Sequence, residues 1–167
     1  MKLNSRRTFI KAGFTGSVVL LTVNSEVFGG VTIFGTVSIL QEDLFPQTTK
    51  VPTNKQINAK AYLSLILNHS RVSRSDKKFI RDGVKWLNEE SVSKHKKVYA
   101  KLSQSQREDI LKDISLTSWG ESFIDTMLRY IFEAMLGDPI YGINKDESGW
   151  KWLNHKTGLP RPKEAYL

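Results

Sequence analysis

The sequence predicts a mainly α-helical protein: a small helical domain followed by an irregular C-terminal segment rich in aromatic residues, proline and glycine. Apolar residues recur at helical spacing through residues 57–136, and helix start and stop signals flank these runs. No strand-like alternation of comparable strength appears after residue 56. The length of 167 residues suits one domain that can bury a core without disulfides or metals.

Apolar spacing and a cap mark the first two helices. Residues 57–68 place leucines and alanines among good helix formers, with one strongly apolar face. Ser73 and the polar residues up to Asp76 predict the start of the second helix. Its buried stripe is expected at Phe79, Ile80, Val84 and Leu87.

Two further helices are predicted up to residue 136. Ser103 and Gln106 have the spacing of a capping box and begin the third helix. Ser118 can cap a long fourth helix, which Gly137 ends, with Pro139 two residues later. The wide aromatic stripe of this helix predicts that it is central: Trp119, Phe123, Ile124, Met127, Tyr130, Ile131, Ala134 and Met135.

The charge and the lack of cysteine limit the possible functions. Lys and Arg number 25 against 17 Asp and Glu, which gives a formal net charge of +8. With no cysteine, the chain can form no disulfide, thiolate zinc site or cysteine-ligated iron–sulfur cluster, and it cannot attach haem through CxxCH. If the protein takes part in redox chemistry, such carriers must lie on another chain.

Residues 1–25 predict an export signal, because a basic start precedes the uncharged, mostly apolar residues 12–23. The pattern is similar to a twin-arginine signal, S/T-R-R-x-F-L-K, with isoleucine where leucine is usual. Its residues are Ser5, Arg6, Arg7, Phe9, Ile10 and Lys11. The twin-arginine route exports folded proteins, often with a partner bound. Cleavage after Ser25 removes four basic residues and no acidic one, which leaves a body of +4.

Residues 26–56 are predicted to form an apolar segment and a linker. Residues 27–40 are uncharged and extend the apolar part of the leader past Glu26, so an uncleaved membrane anchor is an alternative to cleavage. A β-prone segment over residues 31–40 is a further alternative. Two prolines and many polar residues favour a linker over residues 41–56.

Few residues in the helical domain have the pattern of an active site. His69, His95 and His155 are not spaced as metal ligands on a helix. Two carboxylate pairs, Asp109 with Asp113 and Glu121 with Asp125, fit the polar face of an amphipathic helix better than acid–base chemistry. The short basic run at residues 94–97 favours a solvated surface over nucleic-acid binding.

Residues 137–167 differ sharply in composition from the helices before them. Helical periodicity stops, and Gly, Pro, Trp, Tyr and Asn become dense. Such a segment either docks on a partner or wraps its own helices. The candidate partner-interface residues are Asp138, Pro139, Tyr141, Gly142, Asn144, Asp146, Gly149, Trp150 and Trp152.

The spacing of these residues carries a family resemblance. Residues 138–150 read DPIYGINKDESGW, which resembles the C-terminal signature D-P-x-Y-G-G-N-x-D-x-x-G-W of the gluconate 2-dehydrogenase subunit 3 family. Ile143 replaces the second glycine, and the chain continues further after Trp150 than is usual. The resemblance covers the leader and about 30 C-terminal residues, with a helical middle of suitable length.

The resemblance implies a small accessory subunit of a periplasmic, inner-membrane-associated dehydrogenase. FAD is then expected on a leaderless large subunit of the glucose–methanol–choline oxidoreductase class, and haem c on a multihaem cytochrome. We therefore expect this chain to have no catalytic, cofactor-binding or metal-binding residues of its own. The implied partners are these subunits and the twin-arginine translocase, with no nucleic acid. The sugar or sugar acid oxidised does not follow from the resemblance.

Three alternatives stay open from the residues alone. A self-contained periplasmic enzyme would use the carboxylates or His155. A transient export chaperone would leave the complex after translocation. A basic module would bind a membrane surface or nucleic acid; export argues against nucleic acid, and binding of the leaderless chain would have to weaken with salt.

Overall fold

Helices make up most of the structure, a computed structural model that describes residues 27–28, 30–46, 48 and 50–165. This confirms the mainly α-helical fold class, whereas the twin-arginine pattern lies outside the described residues. A small antiparallel hairpin, in which Val27 pairs with Thr32, precedes the helices. The elements are β1 (Val27–Phe28), β2 (Val31–Thr32), α1 (Ile33–Leu44), α2 (Asn54–Ile57), α3 (Ala59–Asn68), α4 (Arg74–His95), α5 (Gln104–Ser115), α6 (Ser118–Leu136) and α7 (Ser148–Trp152).

Local capping starts two helices where the sequence predicts them. The hydroxyl of Ser73 accepts a hydrogen bond of 3.0 Å from the backbone N–H of Asp76 at the start of α4. At the start of α5, Ser103 and Gln106 form the predicted capping box, each side chain accepting from the other residue's backbone N–H. These bonds satisfy donors that a helix N-terminus otherwise leaves unpaired.

Two helix starts differ from the prediction. Thr117 caps α6 one residue before Ser118, because its hydroxyl accepts from the backbone N–H of Gly120 at 3.1 Å. The single helix expected over residues 57–68 is broken at Asn58, which has a left-handed backbone with φ of +55°. Asparagine tolerates this conformation, so α2 ends there and α3 starts in a new direction.

The helical domain begins well before residue 57. α1 occupies part of the predicted apolar segment and the first four residues of the predicted linker. Val37 and Leu40 of α1 are completely buried, and the helix packs against α3, α4 and α6. The apolar run at residues 33–40 is therefore a core helix. None of the helices in the described part of the chain combines the length and apolar character that a bilayer crossing needs.

α6 is the centre of the domain, as its aromatic stripe predicts. It packs against α1, α3, α4, α5 and α7. α4 passes closely over it at Gly83, where a Cβ atom would overlap the ring of Phe123. The main core cluster contains Val37, Leu40, Leu63, Leu67, Ile80, Val84, Leu87, Tyr99, Leu102, Ile110, Ile114, Phe123, Met127 and Tyr130. A smaller cluster under the C-terminal half of α6 contains Ile57, Ala59, Ile131, Ala134 and Met135.

A partly buried ion pair fixes the end of α1 against α5. Arg107 donates from Nε to Oδ2 of Asp43 at 2.7 Å and from Nη2 to Oδ1 at 3.1 Å, a bidentate arrangement. Its Nη1 donates to the carbonyl of Leu102. The hydroxyl of the fully buried Tyr99 also donates to Asp43, at 2.7 Å. Burial, together with this hydrogen bond, raises the pKa of Tyr99, so the phenol stays protonated.

Replacing Asp43 with alanine should lower the free energy of unfolding by about 3–5 kcal/mol, because it leaves a largely buried guanidinium without its counter-ion. The matched control is Asp82→Ala, which removes a more exposed ion pair with Lys78 and should cost less than about 1 kcal/mol. Urea unfolding followed by circular dichroism measures both. Equal losses in the two variants would show that the buried pair does not hold α1 in place.

Candidate docking site in the C-terminal segment

Asn144 ties the C-terminal segment to the helical domain. Its backbone N–H donates to the carbonyl of Ile57 at 3.1 Å. Its side-chain Nδ2 donates to the carbonyl of Gly137 at 3.0 Å, and its Oδ1 accepts from the N–H of Gly149 at 2.8 Å. The residue is completely buried. Asn144 thus joins the end of α2, the end of α6 and the start of α7.

Gly149 and Trp150 press α7 against the C-terminal end of α6. A Cβ atom on Gly149 would overlap the carbonyl oxygen of Met135, so only glycine fits this approach. The indole Nε1 of Trp150 donates to the carbonyl of Leu136 at 2.6 Å, and the ring is almost fully buried. This bond satisfies one of the carbonyls that the last turn of a helix leaves unpaired.

A second link joins the segment to the turn between α2 and α3. The side-chain Nδ2 of Asn58 donates to the carbonyl of Gly142 at 2.7 Å, across 84 residues of sequence. Gly142 has φ of +75°, a conformation that favours glycine. Next to it, Ile143 is buried and packs against Gly137. The left-handed break at Asn58 therefore also holds the signature segment.

Residues 153–165, which we call the strap, are bound to the rest of the C-terminal segment by Arg161. Arg161 donates from Nε and Nη2 to the carboxylate of Asp138, both at 3.1 Å, and from Nη1 to Glu147 at 2.6 Å. The hydrogen bonds from Arg161 and from the backbone N–H of Ile140 lower the pKa of Asp138 below its usual range. The guanidinium also lies 5.0 Å from the centroid of the Trp150 ring. The strap thereby covers the outer side of that indole.

Most of the predicted interface residues therefore make contacts within their own chain. Asn144, Gly149 and Trp150 are buried, and Asp138 pairs with Arg161. The partly buried Pro139 and Tyr141 lie in a 3₁₀ turn, whereas Gly142, Asp146 and Trp152 are exposed. Of the two roles that composition left open, the observed contacts are those of a segment that wraps its own helices.

An exposed aromatic surface lies beside this segment. We call it the aromatic face, and it consists of Phe45, Phe132, Leu136 and Trp152. The ring of Phe45 makes edge contacts with Phe132 at 6.0 Å and with Trp152 at 6.2 Å between centroids. Phe132 is 41% exposed, Leu136 42% and Trp152 39%. Phe132 and Leu136 are one helical turn apart, so they share one face of α6.

Sequence reasoning identified only one member of the aromatic face, Trp152. Phe45 follows α1 directly, in the region predicted to be a linker. Phe132 lies between the buried residues Ile131 and Ala134 of α6, but its own side chain is outside the buried stripe. The sequence does contain a signal for this surface, because a large aromatic residue outside the buried stripe of a helix indicates an exposed apolar position.

One of the carboxylate pairs and His155 lie at the surface. Nζ of Lys94 bridges Asp109 at 2.8 Å and Asp113 at 2.7 Å, and this carboxylate pair is thus a counter-ion to the basic run. His155 is exposed at the start of the strap. No group of three or more His, Asp or Glu side chains converges as a metal site within the described residues.

One protein family matches most of the chain. The family described as gluconate 2-dehydrogenase subunit 3 matches residues 34–158, from the start of α1 into the strap. The chain belongs to this family, and membership implies association with other subunits of a gluconate 2-dehydrogenase complex. The match covers the helical middle and most of the tail, and it excludes the leader. No curated protein and no solved structure matches the chain significantly.

The substitution Gly149→Ala should lower the free energy of unfolding by about 1–3 kcal/mol, because the new methyl group meets the backbone of α6 and pushes α7 outward. Gly158→Ala is the matched control, since nothing lies within 4 Å of its Cβ position. Urea unfolding gives the stabilities, and the indole N–H resonance of Trp150 reports the bond to Leu136. An unchanged resonance and stability in Gly149→Ala would contradict the close packing of α7 on α6.

Proposed function

We propose that this protein is the small accessory subunit of a periplasmic, membrane-associated FAD-dependent dehydrogenase, and that it exports and stabilises the flavin-containing subunit. The match of residues 34–158 to gluconate 2-dehydrogenase subunit 3 carries the proposal. FAD belongs to a large subunit of the glucose–methanol–choline oxidoreductase class, and a multihaem cytochrome c takes the electrons onward. The oxidation itself is the chemistry of the flavin.

The distribution of polar groups supports a structural role for this chain. The carboxylates that sequence analysis singled out on α5 are bound by Lys94 on the surface. The deepest ion pair, between Asp43 and Arg107, is saturated by hydrogen bonds that join α1 to α5. The polar atoms of Asn144 are likewise used to fold the C-terminal segment. These groups stabilise a rigid body that offers an exposed apolar surface.

The position of the leader supports an escort role. The twin-arginine pattern at residues 5–11 ends about 20 residues before α1, which is a core helix of the domain. The twin-arginine route carries folded cargo, and the domain that follows this leader has a packed helical core. If the flavin subunit is bound to that domain, the same leader directs both chains across the membrane.

Replacing Arg6 and Arg7 together with lysine should leave the flavin subunit and its dehydrogenase activity in the cytoplasm, because the pair is the recognition element of the twin-arginine route. Lys2→Arg, which exchanges basic residues outside the pair, is the control and should not change export. Fractionation, immunoblotting of both chains and activity of the periplasmic fraction provide the measurement.

Two outcomes of this experiment would count against the proposal. Arrival of the flavin subunit in the periplasm without this chain would remove the escort role. If the chain is exported but is absent from the purified periplasmic dehydrogenase, it acts as a transient chaperone and is not a permanent subunit.

A further inference from the structure

We propose that the aromatic face, formed by Phe45, Phe132, Leu136 and Trp152, is the surface on which the flavin-containing subunit docks through an apolar patch of its own. This rests on the proposed function and assigns the contact to particular side chains. The buried residues of the signature then hold α7 in place behind the docking surface, and they do not contact the partner.

The side chains of the aromatic face have the character of an interface centre. Phe132, Leu136 and Trp152 each keep about 40% of their surface in contact with water. Covering this apolar area with a partner would stabilise the complex by about 25 cal/mol for each Å² buried. Aromatic residues are enriched at the centres of protein interfaces, whereas scattered single apolar residues on a surface are ordinary. Here the exposed rings touch one another edge to face.

The signature determines where Trp152 lies in this face. Asn144 and Gly149 fix the start of α7, and Trp150 fixes its middle against α6. Trp152 follows two residues later on the same helix and projects beside Phe45. These residues lie inside the region that matches the family, and they position an exposed tryptophan. Because the family is one of dehydrogenase subunits, another subunit of the complex is the expected occupant.

Charge favours a different chain over a second copy as the occupant. Residues 27–165 contain 21 Lys and Arg against 16 Asp and Glu, which gives a formal net charge of +5. Two copies of a positively charged domain repel each other as they approach. Beside the face, Arg129 forms an ion pair with Glu133 at 3.9 Å, so this pair adds no net charge there.

The test compares acidic substitutions inside and outside the aromatic face in the full-length chain. Phe132→Glu and Trp152→Glu place a charge in the face. Leu116→Glu is the matched control, because Leu116 is 83% exposed at the junction of α5 and α6. Each tagged chain is co-expressed with the flavin subunit, and the probe is the co-purifying protein identified by its FAD absorbance. We expect the amount of FAD-containing protein recovered with the tagged chain to fall at least tenfold in both face variants and to stay unchanged in the control.

Folding and self-association are measured for the wild-type chain and for the same variants. Circular dichroism melting of each free chain establishes that it folds, and Phe132→Ser and Trp152→Ser test the face without adding charge. Light scattering after size exclusion gives the mass of the free chain, and pelleting with anionic vesicles tests a lipid surface. We expect a monomer and no dependence of vesicle binding on Phe132 or Trp152.

The outcomes separate this inference from the function on which it rests. If the wild-type chain binds the flavin subunit and both face variants bind equally well, the docking surface lies elsewhere and this inference is wrong. If the free chain is a dimer or binds vesicles through Phe132 while flavin-subunit binding is unaffected, the inference is also overturned. If the wild-type chain itself fails to bind any flavin protein, the proposed function fails.

Discussion

The hydrogen bonds of Asn144 are the constraint on which the C-terminal half of the structure depends. They connect three separate backbone positions, at Ile57, Gly137 and Gly149, through one completely buried residue. A buried polar group left without a partner costs about 1–3 kcal/mol, so the segment has little freedom to fold in another way. Asn144 itself has φ of +44°, in the left-handed region that asparagine tolerates better than most residues.

This constraint separates the family signature from the surface that it creates. Gly149 and Trp150 face inward and bind the end of α6, and the clasp of Arg161 closes over them. Trp152 is exposed on the outside, next to Phe45, which follows α1 and in turn contacts Phe132 of α6. Residues from three distant parts of the chain therefore meet in one face only after the segment has folded. The buried residues of the signature thus stabilise the tail, whereas the proposed contact with a partner belongs to Trp152, two residues after the signature ends.

Sequence reasoning succeeded where the determining interactions are local. The caps at Ser73 and Ser103 lie within four residues of the donors they satisfy, and the pattern of α6 needs only its own periodicity. It missed α1, because an uncharged run without a polar face is equally compatible with an anchor, a strand or a core helix. The bond between Asn58 and Gly142 spans 84 residues, so no local pattern predicts it. The same holds for the contacts of Phe45 with Phe132 and Trp152 in the aromatic face, because tertiary packing brings these rings together.

The most direct test of this account is a cryo-electron microscopy structure of the chain bound to its flavin subunit. We expect Phe132 and Trp152 to lie in the interface while Asn144 keeps its hydrogen bonds to Gly137 and Gly149. A structure in which residues 138–150 leave α6 and insert Trp150 into the partner would contradict it, because the signature would then be the docking peptide itself.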